Sequence, residues 1–165
     1  MSRIATFKHE LDQESQITRK MLERVPNDKW DWKPHPKSMN IRQLTTHIAE
    51  LPTWITLGLT TEELDFATAP YEPKEVNDTA ALMDIFEDSL ANGYAELKEA
   101  NEAKMDEPWV LRNGDSVLFS TTKEGVARMA MNQVTHHRAQ LGVFLRLLDV
   151  PIPGSYGPSA DEPGF

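Results

Sequence analysis

TKEGVARMAMNQVTHHRAQLGVFLRLL, residues 122–148, is the longest helical run in the chain and decides the fold class. Val126, Ala130, Leu141, Phe144 and Leu148 recur at steps that mark one face of a helix. Pro151 and Pro153 stop it. The positions that complete this stripe are 133 and 137, and they hold Gln133 and His137. Residues four apart are displaced by only about 40° around a helix axis, so these two polar side chains share a direction. A helix of this kind needs other apolar faces to cover it.

Three further segments supply them. The first is a helix predicted over 2–25, with Ser2 as its cap and Ile4, Phe7, Leu11, Thr18, Leu22 and Val25 on its inner face. Pro26-Asn27-Asp28 ends it. A loop rich in proline and tryptophan follows. A second helix is predicted over 41–59, with Pro52 kinking or dividing it. Residues 60–78 read as a long polar crossover. The third helix is predicted over 79–101, with Leu82, Phe86, Leu90, Gly93 and Leu97 on one face. Asn113-Gly114 lies between the apolar runs 109–111 and 117–119, the pattern of a small β-hairpin. The tail from Gly154 to Phe165 has no period and is expected to lie irregularly on the surface. The expected fold is therefore all-α. It is one four-helix bundle over residues 1–165, with a long crossover after the second helix and a small β-hairpin inserted before the fourth.

Composition narrows the function. A formal net charge of −9 with no compensating Lys/Arg cluster argues against nucleic-acid binding. With no cysteine, any metal must be held by nitrogen and oxygen. No apolar run approaches a bilayer span, and the charged N-terminus lacks a signal-peptide core, so a cytoplasmic protein without membrane attachment is expected. There is no P-loop, no Rossmann glycine pattern, no G-x-S-x-G and no H-E-x-x-H.

On the second helix, positions 44, 47, 51, 54 and 58 read Leu, His, Leu, Trp, Gly, which puts His47 on an inward face. Burying two imidazoles and an amide in a bundle is costly unless they are satisfied. They can hydrogen-bond to one another, or they can converge on a metal ion with one coordination position left open. Spacing does not decide between the two. His136 lies about 100° around the helix from His137, either as a flank residue or as a group that supports a ligand or substitutes for one. Glu14, near the inner face of the first helix, suits a buried cation, an outer position at the metal, or the surface. Arg138 points away from the stripe and reads as an anchor for Asp161 and Glu162 of the tail. The tryptophans read as core and loop anchors.

NQVTHHRAQLGVFLRLLDVPIPGSYGPSADE, at 132–162, resembles the C-terminal signature of the DinB-like family. WDWKPHPKSMNIRQLTTHIAELPTW, at 30–54, resembles its loop and second helix. The resemblance implies a three-ligand divalent metal site, with His47 from the second helix and Gln133 and His137 from the fourth. Gln133 departs from the family pattern, where histidine is usual. An amide is a poorer ligand than imidazole, so the ion would be held more weakly. Zinc and nickel both suit this set. The resemblance further implies a metal-dependent enzyme using a low-molecular-weight thiol for S-transfer or isomerisation of a small-molecule substrate. Hydrolysis is a variant of that reading. It also implies a homodimer with a stress-response association. The competing expectation is a non-catalytic dimeric bundle that binds a small ligand, with Gln133 marking a degenerate site.

Overall fold

A computed structural model describes residues 2–72 and 74–163. Pro73 of the expected crossover and the last two residues of the expected tail lie outside them. The helices are α1 (Arg3–Leu22), α2 (Ile41–Glu50), α3 (Thr53–Thr60), α4 (Thr79–Glu96) and α5 (Lys123–Leu147), with a 3-10 helix over Glu99–Lys104. The strands are β1 (Glu63–Asp65), β2 (Pro108–Asn113) and β3 (Ser116–Thr122).

The all-α expectation is overturned. Helices dominate, but a three-stranded mixed sheet in the order β1-β2-β3 is built beside them. The hairpin is longer than its two apolar runs. Its turn is Gly114-Asp115, one residue later than Asn-Gly would place it, with glycine supplying φ of +57° at the first turn position. β1 comes from the crossover and pairs in parallel with β2, Leu64 opposite Leu111. Three residues carry too little period to be read as a strand. One carboxylate holds the join: Asp65 Oδ1 accepts from the backbone of Ala67 and of Gly114, each at 2.9 Å. These two donors hold the Asp65 carboxyl below its ordinary range.

The second helix is two helices. Pro52 divides it, because its ring nitrogen cannot donate to the preceding turn. The freed backbone groups are satisfied from across the core by Ser89 of α4, which is 3% exposed. Its hydroxyl donates to the Glu50 carbonyl at 3.1 Å and accepts from the Thr53 N–H at 2.9 Å. One turn on, Gly93 lets α4 close on the break: a Cβ there would stand 2.9 Å from the Pro52 carbonyl oxygen. Ser89→Ala is expected to orphan the Thr53 N–H and cost roughly 1–3 kcal/mol in denaturant unfolding. An unchanged midpoint would show that the break needs no healing.

α1 packs on α4 and α5, while α2 and α3 both pack on α4 and α5. Phe7, Leu22, Ile41, Ile48, Phe86 and Leu141 are among the buried side chains between them. The loop before α2 is packed as expected. Trp30 is buried, and Trp32 meets Phe144 edge-on at 5.6 Å between ring centroids. The Trp30 and Trp32 carbonyls accept from the Arg42 and Ile41 N–H groups, so the loop caps the open N-terminus of α2. Two helix ends differ from expectation: α1 stops at Leu22, and α4 stops at Glu96, beyond which the chain tightens into the 3-10 helix. Among the described residues, no helix is long and apolar enough to cross a membrane.

Candidate metal centre

His47 is presented by α2, whose first turn is fixed by a capping box. Asn40 Oδ1 accepts from Gln43 N at 2.8 Å, and Gln43 Oε1 accepts from Asn40 N at 3.0 Å. Leu44 and Ile48 are fully buried beside it. His47 sits on the flank of this buried face and is half-buried. On α5 the same holds for Gln133 and His137, with Val134 and Leu141 buried and the two polar residues half-exposed.

The two flanks meet. The rings of His47 and His137 lie 4.7 Å apart between centroids at an interplanar angle of 77°. Partial burial, reinforced by the neighbouring His137, holds the His47 imidazole below its ordinary pKa. The folded state therefore favours neutral His47. Its contribution to stability is present above the unfolded pKa and is lost as pH falls through the depressed folded value.

His137 is oriented by its own helix. Its Nδ1 lies 2.8 Å from Gln140 Oε1, and Gln140 Nε2 lies 3.2 Å from His136 Nε2. With the amide in this orientation, His137 Nδ1–H donates to the carbonyl oxygen and Nε2 is left as the lone-pair nitrogen. A partner of this kind commonly fixes a ligating histidine. From sequence, Gln140 reads like Arg138 as a surface or loop anchor for the tail, and the structure turns it instead to the two histidines. The signal for its role is its spacing, three residues beyond His137 and four beyond His136. His136 is exposed, with its ring 4.8 Å from that of His137. Gln133 lines one recess of about 570 Å³ with His136, His137 and Arg128. Among the described residues, no three His, Cys, Asp or Glu side chains gather to hold an ion. Of the three expected ligands, Gln133 is the one that shares a recess with His137 on α5. Two neutral nitrogens and an amide oxygen on adjoining helix flanks suit a borderline divalent ion such as zinc or nickel.

The structure does not bring Glu14 to this pair. Glu14 Oε2 lies 2.6 Å from Arg138 Nη1, and its Oε1 accepts from the Tyr156 hydroxyl at 2.8 Å. Arg138 is 2% exposed, not a surface anchor, and it also donates to Thr18 Oγ1 at 2.9 Å and to Tyr156 at 2.9 Å. The tail carboxylates go elsewhere: Asp161 pairs with Arg146, and Glu162 with Arg24.

Comparison with known proteins agrees with this architecture. The model of the DinB family matches residues 1–163. A DinB-like protein from Bacillus subtilis, YjoA, superposes with a TM-score of 0.70 at 18% identity, over 91% of this chain and 97% of that one. A DinB-like protein from Bacillus cereus gives 0.67 at 17% identity, over 90% and 94%. No curated protein matches. The structural likeness shows the fold, and the family match spans nearly every residue. The chain belongs to the DinB family.

Proposed function

We propose that the chain is a divalent-metal-dependent enzyme acting on small molecules, with zinc or nickel held by His47, Gln133 and His137. The observation that carries this reading is the meeting of two imidazoles from different helices on an accessible flank, 4.7 Å apart. Gln140 Oε1 is placed to accept from Nδ1–H of a neutral His137, the tautomer that carries its lone pair on Nε2, and burial disfavours the charged form of His47, which cannot bind a metal. A bound divalent ion supplies Lewis acidity toward a thiol or water in its open position. Family membership supports a low-molecular-weight thiol as the co-substrate, with S-transfer or isomerisation ahead of hydrolysis as the reaction class. A cytoplasmic homodimer belongs to the same reading.

One observation favours a second reading. His136, Gln140 and His137 already form a hydrogen-bonded chain along α5, which satisfies part of the polar set without an ion. In that reading the protein is a non-catalytic, ligand-binding bundle. Elemental analysis of untagged protein separates the two. The enzyme reading expects about one zinc or nickel per chain, lost in His47→Ala and in His137→Ala, with uptake rising with pH as the imidazoles lose their protons. Metal-free wild type that gains no thermal stability from added zinc or nickel would hand the site to the second reading.

A further inference from the structure

The chain carries 26 acidic residues and a net charge of −9, yet among the described residues none of them lines any of the three recesses bordered by His47 or by His137. Arg42, Lys74 and Arg128 line them instead. Two of these cations are already engaged: Arg42 donates to the Val76 carbonyl and approaches Asp31, and Arg128 pairs with Glu10 at 2.6 Å. Lys74 has no carboxylate within 4 Å among the described residues, and it is exposed. The nearby Glu50 is turned aside, because its carboxylate accepts from the Tyr71 hydroxyl at 2.9 Å. Burial and that carboxylate keep the phenol protonated, its pKa pushed up to about 12.

The recess that contains His47 and Lys74 is about 210 Å³ and is also lined by Thr46. Thr46 is 3% exposed, and its hydroxyl has no hydrogen-bond partner. The preceding Thr45 shows the usual alternative, donating back to the Ile41 carbonyl at 2.8 Å. A buried hydroxyl without a partner and an ammonium without an ion pair among the described residues line one recess that no carboxylate lines, although Lys74 and Tyr71 also border the adjoining recess of Glu50 and Glu72. A small turn of the Thr46 side chain offers an anion a donor beside a positive charge. The volume suits a head group and not a macromolecule.

We propose that this cleft binds a small organic carboxylate, with its anionic group at the Thr46–Lys74 end and the rest of the molecule directed toward His137. This rests on the reading of the histidine pair as the reaction centre. A wholly neutral ligand set adds to it, since it leaves the charge of a divalent ion for the substrate to offset.

The test titrates full-length protein, with and without zinc, with succinate and with its neutral counterpart succinamide, following the imidazole signals of His47 and His137 by NMR. Succinate is expected to shift the His47 signals saturably, and succinamide to leave them unmoved over the same range. Lys74→Gln is expected to weaken succinate roughly fivefold without altering the melting temperature. Equal responses to the two probes, or an unaltered affinity in Lys74→Gln, overturn the proposal. Zinc binding with no succinate response also overturns it and leaves the metal reading standing. Succinate binding in a protein that takes up no metal supports the anion site and removes the metal reading alone.

Discussion

Arg138→Met is expected to destabilise the protein by about 3 kcal/mol, the largest effect of any single change outside the apolar core. The guanidinium is buried between α1 and α5, and it serves Glu14, Thr18 and Tyr156 together. Methionine nearly fills its volume, so the loss is electrostatic and not a cavity. What remains is the Glu14 carboxylate, 17% exposed as a side chain, with the Tyr156 hydroxyl as its only donor among the described residues. An unpaired carboxylate at that depth costs several times more than an exposed ion pair yields. Adding Glu14→Leu should recover most of the loss, because removing both charges removes the desolvation penalty as well. Urea melts of the two single variants and the double variant measure this directly. If Arg138→Met unfolds at the wild-type midpoint, Arg138 is not the strut described. A second readout is local. Tyr156 ties the tail to this cluster and to Thr135, so amide exchange over 152–162 should quicken in Arg138→Met.

Arg138 also explains how the helix presents its histidine. The apolar positions 126, 130, 141, 144 and 148, extended through Gln133 and His137, suggest an inward stripe on α5. The observed buried arc keeps Val126, Ala130 and Leu141 of that stripe but is widened to one side through Ala127, Met131, Val134, Arg138, Gly142 and Leu145, which leaves Gln133, His137, Phe144 and Leu148 at its edge. Two features hide that arc from a reading based on hydrophobicity. A charged residue sits at its middle, and its neighbours include glycine and alanine, which carry little apolar signal. α5 also packs against α1 on one side and against α2 and α3 on the other, so the buried arc is wide and its edge is indistinct. His47 shows the same displacement on α2, at the edge of a face set by Leu44, Ile48 and Leu51. The inward placement expected of these three residues is thus corrected to the edge of the buried faces. His47, Gln133 and His137 are half-buried at the rim of recesses, so they are not core residues in need of rescue, and their role as ligands rests on the proposal above. The helices were legible because long amphipathic periods survive noise. β1 was not, because a three-residue strand is specified by its partner and by Asp65 more than by its own pattern.

Gln133→His is expected to raise the apparent affinity for zinc by at least the ~10–100-fold that changes one shell farther out produce. Position 133 lies one turn before His137 on the same flank, so an imidazole there projects toward the same recess. It replaces a neutral amide oxygen with a stronger nitrogen donor for a borderline ion. The site is half-exposed, so the substitution should leave the metal-free melting temperature nearly unchanged. The gain should also steepen with pH, because a third imidazole must lose its proton before it can coordinate. Gln133→Ala supplies the opposite arm: a drop in affinity means that the amide oxygen is a ligand, and no change means that water stands in its place. If Gln133→His binds zinc no better than the wild type, then His47 and His137 do not present their lone pairs to a common point. The hydrogen-bonded chain through Gln140 would then be the whole purpose of the cluster. The outcome turns on the 4.7 Å ring pair, because a third strong donor helps only where two are already aimed together.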